Sequence, residues 1–230
     1  MKTKKTPQPP LKYTALNDRT YTYLLNCCAP VRDRALESLR RETAALGDIA
    51  EMQIGPDQGA FMTMLATAIG ARNAIEIGTF TGYSSICIAR GLPADGKLLC
   101  LDVSEEWTAI ARKYWAKCGV ADKIELRVGP AAESMAKLDP ERKFDFAFID
   151  ADKPGYGAYY ELVLPRMRPN GLILFDNMLW GGRLGKAAPI KHPNGRAIDK
   201  LNRKLARDPR VDSVLLSVGD GVNLCRVKAA

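Results

Sequence analysis

Short apolar runs alternate with amphipathic segments along the chain from about residue 73 onward. The runs, rich in β-branched and aromatic residues, predict strands at 74–77, 97–102, 123–128, 144–150 and 172–176. The segments between them predict helices near 84–90, 105–118, 133–138 and 156–167. Strands that alternate with helices at this spacing are typical of βαβ units. We therefore predict a doubly wound α/β fold with a mostly parallel sheet covered on both faces.

The two ends of the chain depart from this alternation. Apolar runs at 211–218 and 221–227 meet at a short turn around Gly219-Asp220-Gly221, and Asp-Gly between apolar runs predicts an antiparallel hairpin. Three helical patterns near 17–28, 31–46 and 57–70 predict an N-terminal helical cap. Residues 1–12 are basic and proline-rich with little apolar surface. We expect them to form a disordered leader ahead of a single domain at 13–230.

Composition excludes several classes of protein. The chain has 230 residues, of which 47% are hydrophobic and 26% charged, as expected for one globular domain. It contains no apolar run typical of a membrane span, and no apolar signal segment follows its basic start. Six irregularly spaced cysteines favour free core thiols in a reducing cytoplasm over disulfides or a zinc site. The single histidine, His192, is expected in a surface loop, which excludes histidine-dependent triads and imidazole zinc sites.

The net charge of +8 leaves two interpretations of the surface open. A basic chain can attract nucleic acid or an anionic small molecule. Part of the excess belongs to Lys2, Lys4 and Lys5 in the leader, and the remaining basic residues are scattered along the chain. This distribution favours a generic solvated surface over a dedicated nucleic-acid face.

The segment IEIGTFTGYS, at 75–84, contains the end of the first of these strands and the turn after it, where open α/β sheets bind ligands. Gly78 and Gly82 would let a ligand approach the backbone, but the dinucleotide spacing G-x-G-x-x-G and the P-loop are both absent. Glu76 would repel a pyrophosphate and suits a cationic centre. Asp102, which ends the second strand, can bind both hydroxyls of a ribose. A cationic nucleoside such as S-adenosylmethionine (SAM) fits this pattern; the alternative is a purely structural turn.

A second group of polar residues ends two later strands. Asp150 ends the fourth predicted strand, and Asp176 and Asn177 end the fifth. Two carboxylates and an amide carbonyl form a ligand set for Mg²⁺ or another hard divalent cation, such as Mn²⁺ or Ca²⁺. Aspartates that merely cap helices are the alternative. Lys153, three residues after Asp150, is a candidate general base beside that cation.

Together these motifs resemble the cation-dependent class I SAM O-methyltransferases, the group of caffeoyl-CoA and catechol O-methyltransferases. The matching segments are PDQG (56–59), IEIGTFTGYS (75–84), LDVSEEW (101–107), GPA (129–131), FDFAFIDADK (144–153), DNMLWGG (176–182) and VGDG (218–221). They cover most of the chain in the family's order. The resemblance implies a Rossmann-like methyltransferase sheet, SAM as the methyl donor and a homodimer.

The resemblance also implies roles for individual positions. The positions that would contact SAM are Ile54, Glu76, Gly78, Thr79, Ser84, Asp102, Ala131, Asp150 and Asp152. Those that would bind the divalent metal are Asp150, Asp176 and Asn177. Lys153 and Asp150 would be catalytic. Two departures are Pro154-Gly155 after Lys153, and Gly181 in place of an asparagine that contacts the substrate in plant relatives, so the substrate of those relatives does not transfer directly.

The expected reaction is metal-dependent transfer of a methyl group from SAM to a hydroxyl of a small phenol, catechol-like or of the hydroxycinnamoyl type. A phenol has a pKa of about 10, so a coordinated metal would stabilise the phenolate and Lys153 would take the proton. Trp180 and Tyr156 are candidate walls for the aromatic ring, and ordinary core or rim packing is the alternative for either. Two alternatives stay open: a tRNA wobble-uridine hydroxyl methyltransferase of the same family group, and a protein that binds SAM without catalysis.

Overall fold

Seven strands form one sheet in the computed structural model, which describes residues 12–28, 33–185 and 189–229. The strands are β1 (Asn73–Ile77), β2 (Lys97–Asp102), β3 (Ile124–Val128), β4 (Phe144–Ile149), β5 (Met167–Phe175), β6 (Val211–Leu216) and β7 (Val222–Val227). Their order across the sheet is β3-β2-β1-β4-β5-β7-β6. Strands β1 to β5 pair in parallel, and β7 lies antiparallel between β5 and β6. The mostly parallel sheet and the C-terminal antiparallel hairpin are both confirmed.

Helices cover both faces of this sheet. In the described ranges they are α1 (Asp18–Cys27), α2 (Arg34–Ala44), α3 (Pro56–Ala68), α4 (Tyr83–Gly91), α5 (Glu105–Lys117), α6 (Ala131–Ala136), α7 (Tyr156–Val163) and α8 (Pro193–Leu205). Side chains cap several of their starts: Asp33 accepts hydrogen bonds from the backbone N–H groups of Ala35 and Leu36 at the start of α2. Helices α1 to α3 match the predicted N-terminal cap, and α3 packs on α4. None of the helices described is long and apolar enough to cross a membrane.

Alternate side chains of the strands enter two hydrophobic cores, one on each face of the sheet. On one face Ile75, Ile77 and Leu101 are buried with residues of α6, α7 and α8. On the other face Ala74 and Phe146 are buried with residues of α3, α4 and α5. Because successive strand side chains point to opposite faces, burial on both sides explains the near-continuous apolar runs in the sequence.

Helix α8 lies in the segment between 177 and 210, for which the sequence pattern predicts no element. Pro193-Asn194-Gly195 is typical of a turn, but Pro193 occupies the first turn of the helix, where its missing N–H breaks no hydrogen bond. The Nδ1 atom of His192 accepts a hydrogen bond from the backbone N–H of Asn194. His192 therefore caps α8 instead of belonging to a loop. Its side chain is exposed, as predicted.

Helix α7 is shorter and strand β5 longer than the sequence pattern predicts. The helix ends at Val163 instead of continuing to 167, and β5 begins at Met167 instead of 172. Pro165, in the short 3₁₀ turn Leu164–Arg166, has no backbone N–H to donate. A proline at this position ends the α-helical hydrogen-bond pattern.

Some predictions concern the chain ends and the thiols. The predicted disordered leader covers residues 1–12, of which 1–11 lie outside the described residues, as do positions 31 and 32 of the second predicted helix. All six cysteines are free, and Cys87, Cys100 and Cys225 are buried as predicted. They behave as small apolar core residues.

Candidate active site

A cleft of about 840 Å³ opens at the carboxyl ends of the parallel strands. It lies beside β1 and β4, where the strand order reverses, which is the ligand-binding position of open α/β sheets. The predicted site residues that line it are Ile54, Gly78, Thr79, Ser84, Asp102, Ala131, Asp150, Asp152, Lys153 and Asn177. The two others, Glu76 and Asp176, are buried and not part of the lining. The sequence motifs therefore converge on one site.

Asp102, at the end of β2, holds the loop between β1 and α4 in place. Its Oδ2 accepts 2.8 Å hydrogen bonds from the backbone N–H groups of Thr79 and Phe80. Its Oδ1 accepts a 2.8 Å hydrogen bond from the backbone N–H of Ser104. Each carboxylate oxygen can accept about two hydrogen bonds, so only Oδ1 has an acceptor position left. Asp102 can thus bind about one ribose hydroxyl, fewer than the two expected from the sequence.

Gly78 is required by the packing of the sheet itself. Its φ of +90° lies in the left-handed region that glycine tolerates best. A Cβ at this position would lie 2.0 Å from the backbone oxygen of Asp150. The absence of a side chain therefore brings the end of β1 against the end of β4, which joins the two groups of predicted site residues into one cleft.

Glu76 is a fully buried carboxyl group in β1. Its Oε2 accepts a 3.4 Å hydrogen bond from the Sγ of Cys100, and its Oε1 has no partner in the part of the chain that the structure describes. Burial disfavours the charged form and raises the pKa of Glu76 to about 7. The buried hydroxyl of Thr79, in the cleft wall, also lacks a partner among the described residues. Unsatisfied polar atoms beside a cleft are typical of a site that a ligand completes.

The raised pKa of Glu76 predicts a pH dependence of stability in the ligand-free protein. Its ordinary pKa is 4.5 and its folded pKa about 7, so between these values the folded chain binds more protons than the unfolded chain. The free energy of unfolding should therefore fall as the pH rises through this window, by on the order of 3 kcal/mol. Urea unfolding from pH 4 to 8 should show a smaller fall in Glu76→Gln.

The matched control for this experiment is Glu106→Gln, at the exposed start of α5. It should keep the pH dependence of the wild type, and the difference between the two variants separates Glu76 from the other buried acids. Identical slopes in the wild type and Glu76→Gln would contradict a buried carboxyl with a raised pKa.

Lys153, Asp150 and Tyr156 form a hydrogen-bonded group at another part of the cleft. The Nζ of Lys153 donates 2.7 Å hydrogen bonds to the Oδ1 of Asp150 and to the hydroxyl of Tyr156. The hydroxyl of Tyr156 donates in turn to the backbone oxygen of Asp176, at 3.1 Å. The side chains of Lys153 and Asp150 are only 14% and 15% exposed. The Nζ of Lys153 is therefore fixed in the cleft wall with little contact with water.

Asp176 and Asn177 directly follow β5. The Oδ1 of Asp176 is buried and has no partner among the described residues. Burial, and next the negative charge of Asp150, raise the pKa of Asp176 to about 7. Asn177 lines the cleft with a left-handed φ of +58°. Two carboxyl groups and this amide offer the oxygen donors that a hard divalent cation requires.

The amide of Asn177 is essential to that donor set. No cluster of three or more His, Cys, Asp or Glu side chains suited to a metal occurs within 12–28, 33–185 and 189–229. A cation bound here would therefore rest on two carboxylates and one amide, with water or an acceptor molecule completing its coordination.

Pro154-Gly155, the departure noted in the sequence, forms part of a 3₁₀ turn that leads directly into α7. Asp152 stabilises the turn: its Oδ2 accepts a 2.9 Å hydrogen bond from the backbone N–H of Gly155. Its Oδ1 accepts a 2.6 Å hydrogen bond from the hydroxyl of Tyr159. The altered loop thus still holds Lys153 against Asp150.

The aromatic wall of the cleft differs in part from the prediction. Trp180 lines the cleft as expected. Tyr156 does not line it and takes the alternative, core packing: its side chain is fully buried with its ring centre 5.7 Å from that of Phe175, and its hydroxyl donates to the backbone oxygen of Asp176. Tyr159, one turn later in α7, lines the cleft in its place.

Several further lining residues are not predicted from the sequence. Phe80 and Trp107 pack edge to face with ring centres 5.1 Å apart beside Asp102. Arg183 and Asn194 also line the cleft. They belong to the segment after DNMLWGG that carries no predicted element, and nearness to that motif is the one signal that could have found Arg183.

The chain is similar in sequence to known proteins over most of its length. A family model described as O-methyltransferase matches residues 28–228. Caffeoyl-CoA O-methyltransferase of Eucalyptus gunnii is 38% identical over 220 residues, which cover 91% of this chain and 88% of that relative. Tricin synthase 2 of Oryza sativa subsp. japonica is 36% identical over 229 residues, which cover 96% of this chain and 77% of that relative.

Solved structures share the fold. An O-methyltransferase of Bacillus cereus in complex with SAH has a TM-score of 0.82 and 33% identity, and the match covers 91% of this chain and 97% of that chain. TomG of Streptomyces achromogenes, an O-methyltransferase involved in tomaymycin synthesis and solved in complex with SAM, has a TM-score of 0.82 and 28% identity. That match covers 92% of this chain and 96% of TomG.

Proposed function

The chain belongs to the O-methyltransferase family, and we propose that it transfers a methyl group from SAM to a hydroxyl of a small phenolic acceptor with the help of a divalent cation. Structural neighbours that hold SAM or SAH support the methyl donor. Relatives named caffeoyl-CoA O-methyltransferase and tricin synthase support a phenolic acceptor. The observation that carries the proposal is that Asp150, Lys153 and Asn177 line the same cleft as the glycine turn after β1.

The turn after β1 has the properties that SAM requires. Asp102 fixes its backbone by accepting hydrogen bonds from two N–H groups of the turn. The unpaired hydroxyl of Thr79 lies in the wall of the cleft. Glu76, with its unpaired Oε1, supplies a carboxyl group that a cationic ligand would favour in its charged form. The edge-to-face pair Phe80 and Trp107 offers apolar surface beside Asp102.

Asp150, Asp176 and Asn177 are the residues that would hold the cation. The buried Oδ1 of Asp176 fits this role: it accepts no well-formed hydrogen bond from the described residues, although the side-chain amide of Gln58 lies near enough to lower the pKa of Asp176. A cation bound there would supply positive charge that lowers the pKa of the acceptor hydroxyl.

Lys153, as the neutral amine, is the group that would take the acceptor proton and become an ammonium. In methyl transfer the acceptor oxygen forms a bond to the methyl carbon while the bond from carbon to sulfur breaks, so the hydroxyl proton must leave to a base. The Nζ of Lys153 is fixed by Asp150 and Tyr156, and such fixed geometry lowers the entropic part of the barrier.

The tRNA alternative depends on the basic surface. Of the five basic residues near the end of α8, three are paired: Arg203 with Asp199, and Lys204 and Arg210 with Glu161. Basic groups that are already paired are poorly suited to neutralising a run of phosphates. We therefore favour the small acceptor.

Removing the divalent cation should stop the reaction. Excess EDTA should abolish methylation of catechol, and Mg²⁺ or Mn²⁺ should restore it, because the acceptor hydroxyl is otherwise not activated. Asp176→Ala should also lose Mn²⁺ binding, which electron paramagnetic resonance measures without any acceptor present. Asp95→Ala, an exposed carboxylate paired with Arg72, is the control. Full turnover of catechol in excess EDTA would contradict the cation.

The same assay separates the two classes of acceptor. Catechol turnover should vary little between about 50 and 200 mM salt, whereas binding to tRNA phosphates would weaken by orders of magnitude over that range. Steeply salt-dependent methylation of tRNA without catechol turnover would favour the RNA enzyme. The homodimer stays a prediction, which size-exclusion chromatography with light scattering can check.

A further inference from the structure

The turn after Asn177 places a tryptophan, a glycine and an arginine in the wall of the cleft: Trp180, Gly181 and Arg183. We call these three residues the Trp-Gly-Arg turn. It shares the cleft with Lys153 and Asn177, the residues assigned above to the reacting hydroxyl. A group in this turn can therefore contact the part of an acceptor molecule that does not react.

Trp180 is a fixed platform in this turn. The backbone N–H of Trp180 donates a 3.1 Å hydrogen bond to the backbone oxygen of Asn177, and its own oxygen accepts a 3.0 Å hydrogen bond from Arg183. The ring of His192 lies with its centre 5.3 Å from the indole. Gly195 leaves the space that the indole fills, because a Cβ there would lie 3.1 Å from its Nε1.

The guanidinium of Arg183 rests on this platform. Its Cζ lies 5.9 Å from the centre of the Trp180 ring, within range of a cation–π contact. Within the described part of the chain, no carboxylate lies at ion-pair distance from it. Asp220 lines the same cleft, but its Oδ1 accepts a 2.6 Å hydrogen bond from the backbone N–H of Gly181. Arg183 is thus an exposed cation beside Trp180 whose charge no carboxylate of the described residues neutralises.

Gly181 leaves room for this arrangement. A Cβ at position 181 would lie 3.2 Å from the Nη1 of Arg183, and the φ of Gly181 is +59°. A side chain here would therefore strain the backbone and would require the guanidinium to shift by a few tenths of an ångström. The glycine that departs from the plant pattern and the arginine two residues later form one unit.

We propose that Arg183 binds an anionic group of the acceptor, and that the preferred acceptor is a vicinal diphenol carrying a free carboxylate. The planar guanidinium can donate two parallel hydrogen bonds to a carboxylate, and its contact with Trp180 fixes its orientation before the acceptor binds. The proposal rests on the function proposed above, because it needs a phenolic acceptor in this cleft. It adds what the acceptor carries at the end away from the reacting hydroxyl.

Three acceptors of similar shape test it: 3,4-dihydroxycinnamate, its neutral methyl ester, and the cationic diphenol dopamine. The wild type should favour the acid over the ester in kcat/KM, mainly through KM. Arg183→Gln should lower this ratio by about 10- to 100-fold, the range for loss of a charged hydrogen bond. Arg183→Glu should shift preference toward dopamine. Arg168→Gln, an exposed arginine paired with Asp145, should keep the wild-type ratio.

Binding and turnover together separate this proposal from the function on which it rests. Titration calorimetry of 3,4-dihydroxycinnamate needs no turnover and should show the same loss of affinity in Arg183→Gln. If the diphenols are methylated but Arg183→Gln leaves both the acid-to-ester ratio and the affinity unchanged, the Arg183 proposal is wrong and the enzyme function stands. If no diphenol is methylated and the acid binds the wild type and Arg183→Gln equally, both are wrong.

Discussion

Lys153→Ala should lower kcat for diphenol methylation by about 10²- to 10⁴-fold, the usual contribution of a general base. The acceptor hydroxyl must lose its proton as the new bond forms, and the Nζ of Lys153 is the amine that Asp150 and Tyr156 fix in the cleft wall. The Kd for SAM should change little, because the turn that accommodates SAM is held by Asp102 and not by Lys153. Stopped assays give kcat, and titration calorimetry gives the Kd.

Lys153→Arg distinguishes a base from a simple positive charge. Arginine places a permanent charge beside Asp150, because it does not deprotonate in proteins and cannot accept the proton. We therefore expect Lys153→Arg to be nearly as slow as Lys153→Ala. Lys143→Ala removes a partly buried lysine outside the cleft whose Nζ bonds to the backbone oxygen of Pro165, and should be close to the wild type. Substantial turnover in Lys153→Arg would mean that charge, and not proton transfer, is the role of Lys153.

The sheet was predictable because the signals that specify it are local and repeated. Each strand is a short apolar run, and the Asp-Gly turn marks the hairpin between β6 and β7. Helix α8 was not predictable in the same way, since Pro193-Asn194-Gly195 matches both a turn and a helix start. Only its packing against the sheet decides between them, through buried residues such as Ile198 and Leu201.

The location of the site followed from topology, but the direction of its side chains did not. The carboxyl ends of β1, β2, β4 and β5 lie at one edge of the sheet, so the topology places acids at those strand ends close together. Which oxygen of Asp102 is free, and whether Tyr156 or Tyr159 faces the cleft, depend on loop geometry between elements. Arg183 lies directly after the motif DNMLWGG, in a turn where its guanidinium contacts Trp180.

Gly78→Ala should severely destabilise the protein, although it adds only one methyl group. That group would lie 2.0 Å from the backbone oxygen of Asp150, and the left-handed φ of +90° adds backbone strain. The oxygen of Asp150 belongs to the backbone and not to a flexible side chain, so β1 and β4 would have to separate. We expect a loss of about 4 kcal/mol or more in the free energy of unfolding, in the range of severe core disruption. Urea unfolding measures it directly.

Two glycines separate the causes of this loss. Gly129 also lines the cleft, with a φ of +139°, but a Cβ there would meet nothing within 4 Å. Gly129→Ala should therefore cost only the backbone strain, about 1–2 kcal/mol. Gly157, in α7, has open space and no left-handed φ. Gly157→Ala should raise the free energy of unfolding by about 0.5–1 kcal/mol, because alanine favours helix more than glycine.

The packing of Gly78 against Asp150 also predicts which functions fail together. Where Gly78→Ala remains folded, SAM affinity and Mn²⁺ binding should both weaken, because one contact joins the two halves of the cleft. In Gly129→Ala any loss should be confined to SAM binding, and Mn²⁺ binding should stay intact. Gly78→Ala could instead lose no more unfolding free energy than Gly129→Ala and keep its Mn²⁺ affinity. The approach of β1 to Asp150 would then not be what holds the site together.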